Sequence, residues 1–280
     1  HSNLLPWVEA VGHHNVFAIR VKSDGTLDLD SFEEYMKQEG ELVRLVAVTG
    51  LSNVTGIINP VHKMAKIAHQ YGAQILVDGA QWVPHAQVHM HTNDPEEALD
   101  FLVMSGHKLY APGSRGALIG DLDTLAGCKC VSDVGGGMVE YVTIEDFEIK
   151  EKVTAREEAG TPNIPGSIAM GLVAELLLGI EMSVVVEKEH ELTEHLLREL
   201  EKIPGIRLYG STDLVAHPRG GVVSFNIDGI DHGLVATYLN DYHNIAVRNG
   251  CFCAQPYGIA LMKCERGNLP WETSDPHDHP

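Results

Sequence analysis

Two short apolar runs flank an amphipathic segment, and this unit restricts the fold more than any other feature of the chain. The first run is Val43-Arg44-Leu45-Val46-Ala47-Val48 and the second is Gln74-Ile75-Leu76-Val77-Asp78. Neither alternates polar with apolar, so each reads as a strand covered on both faces. Between them, residues 60 to 71 place Val61, Met64, Ile67 and Ala68 on one helical face, and Gly72 stops the helix. Strand, helix, strand in that order predicts a parallel crossover unit. A third run, Phe101-Leu102-Val103-Met104, and a fourth, Ala117-Leu118-Ile119, extend the sheet. The fold class that follows is α/β, with a mostly parallel sheet sandwiched by helices.

The remaining pattern predicts a smaller C-terminal α+β domain. Ser2 is expected to cap a helix at the start, residues 16 to 21 to form a strand, and Asp28 to Tyr35 to open a helix with acids in its first turn. Residues 166 to about 203 read as a long helical region, buried at first and then charged. That change places the domain boundary near 182, giving a large domain over 1–182 and a small one over 183–280. The small domain is expected to contain strands at 207–209, 222–227 and 245–248 and a helix at 231–240. A polar tail follows from about residue 272.

Charge and cysteine content narrow the function. A formal net charge of −19 would repel a phosphate backbone, which argues against nucleic acid as a partner. The longest apolar stretch, 168 to 180, carries Glu175 and is too short for a membrane span. With no leader pattern and an odd count of 5 cysteines, the expectation is a reducing, cytoplasmic setting.

Three predicted strands end in polar groups. Asn53 follows the first, Asp78 closes the second, and Ser105-Gly106-His107-Lys108 follows the third. Parallel sheets bind ligands at the carboxyl ends of their strands. A lysine desolvated where a buried strand empties into a loop loses charge more readily, and a neutral amine attacks carbonyls. The plainer alternative at Lys108 is a surface lysine after a strand.

Five motifs in order resemble the class V aminotransferase superfamily, among the fold-type I pyridoxal 5′-phosphate (PLP) enzymes, and within it the cysteine desulfurases. They are Ser52-Asn53-Val54-Thr55-Gly56, Val77-Asp78-Gly79-Ala80-Gln81, Ser105-Gly106-His107-Lys108, Gly160-Thr161-Pro162-Asn163 and Arg248-Asn249-Gly250-Cys251-Phe252-Cys253-Ala254. The resemblance runs from His1 to about Pro256. It implies Lys108 as the Schiff-base lysine and Asp78 as the partner of the pyridinium nitrogen. It implies Gln81 on the ring oxygen, His1 against the ring face, and Ser105 and His107 on the phosphate. Thr161 would reach the phosphate of the other protomer of a homodimer. Asn53 would contact the substrate carboxylate, and Arg248 would orient the cysteine loop or serve as its cation. Cys253 would take sulfur from L-cysteine, or selenium from selenocysteine, leaving alanine and a persulfide that passes to a sulfur-acceptor protein.

Rival readings stay open: another class V enzyme (an aminotransferase, epimerase or lyase) that uses Lys108 without Cys253, or a non-catalytic homologue acting as a scaffold. Cys251 could relay sulfur or be a small packed residue. A zinc site pairing Cys251 and Cys253 with Cys128 and Cys130 has tighter spacing than zinc pairs usually show. His85, His89 and His91 read as solvent or packing histidines, so no metal is expected. The Gly-Thr/Ser phosphate loop that precedes these motifs in the family, and its carboxylate-clamping arginine motif, do not appear; Arg266 lies near the latter's place. The expectation is a fragment, a split enzyme completed by another chain, or a degenerate homologue.

Overall fold

The computed structural model describes residues 1–128 and 134–265. Cys130, Arg266 and the tail from about 272 lie outside the described residues.

Chain order is α1 (Leu5–Val11), α2 (Leu29–Glu39), β1 (Leu45–Thr49), α3 (Val61–Gln70), β2 (Gln74–Asp78), β3 (Phe101–Ser105), β4 (Gly116–Gly120), α4 (Leu122–Gly127), β5 (Val139–Val142), β6 (Phe147–Ile149), α5 (Val153–Arg156), α6 (Ile164–Ile180), α7 (Met182–Leu200), β7 (Ile206–Tyr209), β8 (Ser224–Ile227), α8 (His232–His243) and α9 (Gln255–Glu265). The central sheet has the order β1-β2-β3-β4, the first two pairings parallel and the last antiparallel. This matches the expected mostly parallel sheet.

The core lies between this sheet and the α2–α3 layer. Val61, Met64, Ala65, Ile67 and Ala68 of α3 are buried against Val46, Val48, Ile75 and Val77 of the strands. Each fully buried Met, Ile or Val adds roughly 1.5–3 kcal/mol of hydrophobic stabilisation. Asp28 caps α2 by accepting a hydrogen bond from Ser31 N at 3.3 Å. Asp28→Ala is expected to cost about 1 kcal/mol, seen as a lower denaturant midpoint at unchanged slope; an unmoved midpoint would show the cap to be idle.

Five expectations are corrected. Ser2 caps nothing: α1 begins after Leu4, with no side-chain cap. Residues 16 to 20 form no strand. The chain turns back through the isolated Val21–Leu27 bridge, and Phe17 stacks on Tyr35 with ring centroids 3.7 Å apart. Residues 245 to 248 form no strand either. Asn244 ends α8 in the left-handed conformation at φ 54°, and Ile245 N bonds back to Leu239 O at 3.0 Å. That Schellman-type cap takes the amide a ladder would need. The region from 164 to 200 is two helices, bent by 78° at Glu181, whose φ is +68°. Its first half is exposed, with Ile168, Leu172 and Leu176 each about 60% accessible.

Two contacts tie later segments to the sheet. His85 Nδ1 lies 2.7 Å from Glu189 Oε1 of α7, so His85 is a paired residue, while His89 and His91 are exposed. Ile58 N donates to Pro218 O at 2.9 Å. No single helix among the described residues is long and apolar enough to cross a membrane.

Candidate active site

Because β1, β2 and β3 run parallel, their carboxyl ends share one sheet edge. Asn53, Asp78 and Lys108 therefore arrive together, as the strand pattern predicts. Asp78 is the last residue of β2, and its carboxylate accepts from Ala80 N at 3.0 Å. A tight turn follows, in which Trp82 N and Val83 N both donate to Gly79 O at 2.9 Å. The turn presents Gln81, whose Oε1 accepts from Lys108 Nζ at 3.1 Å. Lys108, Asp78 and Gln81 are all half-buried.

Lys108 is held by the loop between β3 and β4. Gly106 N donates to Arg115 O at 2.9 Å, Leu109 N to Ser105 O at 3.1 Å and Ala111 N to Gly106 O at 3.1 Å. Ser105 Oγ lies 3.1 Å from His107 Nδ1, so the two expected phosphate ligands sit side by side on one turn. Asn163 caps α6 and donates from Nδ2 to Gly113 O at 2.7 Å, which fastens the 160–163 segment to this same loop. Thr161, on that segment, is exposed.

The cysteine turn docks on the Asn53 loop. Asn53 Nδ2 donates to Phe252 O at 2.8 Å, and His1 Nε2 accepts from Gln255 N at 3.2 Å. Arg248 donates from its guanidinium to Cys253 Sγ at 3.2 Å and lies over the Phe252 ring, 6.0 Å from its centroid. Cys251, read as a small packed residue in one of the alternatives, is exposed, as is Cys253. Cys128 is also free, and among the described residues no group of three His, Cys, Asp or Glu is placed to hold a metal ion.

Two residues that the sequence reading passed over support these loops. Tyr257 of α9 donates to Gly25 O at 2.7 Å and lies 3.1 Å from Thr55 Oγ1. Burial pushes its phenol above the ordinary tyrosine range, which keeps it protonated as a donor. The signal was available: Pro256 at the second position of α9 is a common helix start. Arg219, only 6% exposed, donates to Ser211 O and Val222 O at 2.7 Å and backs the glycine turn at Gly56. Burial lowers its pKa from the usual arginine value. Tyr257→Phe is expected to cost about 1–2 kcal/mol through the two lost contacts, read as a lowered denaturant midpoint; a wild-type midpoint would show that Gly25 O and Thr55 find water instead.

The donor set is a carboxylate, an amide, a half-buried amine and a hydroxyl–imidazole pair around one sheet edge. It fits an aromatic carbonyl compound with a basic ring nitrogen and an anionic group.

The Aminotransferase class-V family profile matches residues 1–264. The chain belongs to the class V aminotransferase family. Within it, the chain is 37% identical over 266 residues to a probable cysteine desulfurase of Halalkalibacterium halodurans, covering 94% of this chain and 61% of that protein. Among solved structures, an apo cysteine desulfurase from Thermococcus onnurineus NA1 superposes with a TM-score of 0.77 at 33% identity, covering 94% of this chain and 63% of that one. A cysteine desulfurase of Escherichia coli in an S-sulfonic acid form gives 0.76 at 28% identity, covering 92% and 61%. The chain thus spans a little over three-fifths of the length of these relatives.

Proposed function

We propose that the chain carries the site of a PLP-dependent cysteine desulfurase, converting L-cysteine to L-alanine and leaving the sulfur on Cys253. The observation that carries this reading is the docking of the Cys253 turn, through Asn53 and Phe252 O at 2.8 Å, on the same sheet edge that holds Lys108 against Gln81. A class V site with another chemistry has no use for a thiol held there.

Lys108 would hold the cofactor covalently, with Asp78, Gln81, Ser105, His107 and His1 as its further contacts. PLP, when bound, supplies an electron sink for bond changes at the amino acid. Asp78 is the carboxylate available to keep a proton on the ring nitrogen, and Lys108 Nζ is the amine available to move protons. Cys253 Sγ attacks the substrate sulfur, and the Arg248 guanidinium, donating to that Sγ at 3.2 Å, orients it. The balance is L-cysteine plus the Cys253 thiol giving L-alanine plus the Cys253 persulfide, with no outside oxidant. Asn53 would leave Phe252 O to bind the substrate carboxylate. A homodimer partner supplying Thr161 to the phosphate, and a protein that accepts the sulfur in a cytoplasmic setting, complete the proposal.

The test incubates the chain with PLP and L-cysteine and reads alanine, persulfide on the Cys253 peptide, and the cofactor colour. Cys253→Ala should keep the colour and lose the persulfide and sulfide release. A variant that still releases sulfide at the wild-type rate would remove Cys253 from the chemistry and hand the site to another class V reaction.

A further inference from the structure

The turn that presents Gln81 continues to a pair that lies outside the site. After Trp82 N and Val83 N donate to Gly79 O, His85 N and Ala86 N donate to Trp82 O at 3.0 Å, so Gln81 and His85 belong to one run of turns. Its start is pinned to β3, where Gly79 N donates to Val103 O at 2.8 Å. Its middle rests on β1 through Trp82, which is buried against Gly50; a Cβ at Gly50 would sit 2.4 Å from the indole ring. Its far end is pinned to α7, where His85 Nδ1 lies 2.7 Å from Glu189 Oε1.

The last of these pins is a directed one. An ionised carboxylate only accepts, so His85 Nδ1 carries the proton and donates. Glu189 Oε2 is buried and has no hydrogen-bond partner among the described residues. Gly221 lies against that oxygen, with a Cβ position 3.6 Å away. A half-buried carboxylate with so few donors holds His85 firmly, because letting go leaves the charge unpaired. Gln81, His85 and Glu189 also line one cavity of about 190 Å³, together with Leu192 and Leu196 of α7 and Val222. With the far end released, the turn would keep the Gly79 pin and the packing of Trp82, and apolar packing is not directional.

We propose that His85, gripped by Glu189, is a positioning residue for the cofactor site, setting where Gln81 Oε1 meets Lys108 Nζ. This rests on the cofactor reading above. The helix α7 thereby takes part in the site without supplying a group to it.

The test uses three readouts: amide hydrogen exchange over residues 79–86 in the chain without cofactor, the yield of borohydride-fixed PLP on the Lys108 peptide at sub-saturating PLP, and the denaturant midpoint. Glu189→Ala should speed exchange of the Trp82, Val83, His85 and Ala86 amides and cut the Lys108 yield, each by about tenfold, the scale of one hydrogen bond to a charged group. Glu189→Gln should restore both, because a carboxamide oxygen accepts from Nδ1–H as the carboxylate does. Glu189→Leu, with no acceptor and no cavity left behind, gives the same reading if the alanine variant does not fold. A contact that only holds the fold would lower the midpoint and leave the Lys108 yield and the exchange of this turn, relative to the rest of the molecule, at wild-type values; that result overturns the positioning role. So does a Glu189→Gln variant that behaves like Glu189→Ala. If the wild-type chain fixes no PLP on Lys108, the cofactor reading falls, and exchange alone decides whether Glu189 holds the turn: faster exchange in Glu189→Ala keeps that hold, and unchanged exchange overturns it.

Discussion

Lys108→Ala is expected to abolish fixation of PLP by borohydride and to lower any turnover of L-cysteine by about a thousandfold or more, the scale seen when one member of a catalytic unit is removed. Lys108 Nζ is the amine at the shared strand edge, 3.1 Å from Gln81 Oε1. The two lysines of α3 are engaged elsewhere: Lys66 with Asp94, and Lys63 with Glu33 at 3.2 Å. Lys108→Arg should fail equally, because a guanidinium stays protonated and forms no imine. The measurement is the reduced adduct located by peptide mapping. In the wild-type chain it should fall on the Lys108 peptide and in the variant nowhere. An adduct spread over surface lysines in the wild-type chain would remove Lys108 from its role.

Gly106→Ala should damage both fold and site. A Cβ at Gly106 would sit 2.1 Å from Ser114 Oγ and 2.2 Å from Arg115 O. One of these atoms is backbone, and it accepts the Gly106 N–H itself at 2.9 Å, so side-chain rotation alone cannot relieve the clash. Overpacking of this kind costs about 1–3 kcal/mol. The displaced turn carries Lys108 two residues on, so the yield of borohydride-fixed PLP should fall along with the denaturant midpoint. A lowered midpoint with a full adduct yield would mean that Lys108 finds its place independently of the turn.

The parts of the fold that could be read in advance are those where burial leaves one reading. α3 buries all of its apolar residues, and β1 and β2 bury Val46, Val48, Ile75 and Val77 while Leu45, Ala47 and Leu76 are half-buried, so the helical face and the two apolar runs are legible. Residues 16 to 21 and 245 to 248 have the same apolar, β-branched composition but no neighbouring strand. Phe17 is satisfied by stacking on Tyr35, and the Ile245 amide by the end of α8. Composition carries no information about whether a ladder partner exists. At the site, Asn53, Asp78 and Lys108 were legible because a parallel sheet gathers its strand ends. The Asn53–Phe252 contact was not, since it joins residues 199 apart through side chain and backbone. Tyr257 and Arg219 were missed for a related reason: each works by holding loops whose proximity only the fold creates.

The exposure of α6 bears on how the molecule behaves in the hands of an experimenter. Its Ile168, Leu172 and Leu176 face water in a chain with a net charge of −19. At low ionic strength mutual repulsion keeps copies apart, but the range of that repulsion shrinks from roughly 10 Å at 0.1 M salt to 3 Å at 1 M. Salt-induced exclusion strengthens the apolar attraction at the same time. Concentrated ammonium sulfate, a routine first step for acidic proteins, is therefore expected to drive the copies together through exposed apolar side chains, those of α6 among them. A hydrophobic column loaded in salt and eluted by its removal turns the same helix into the handle for purification.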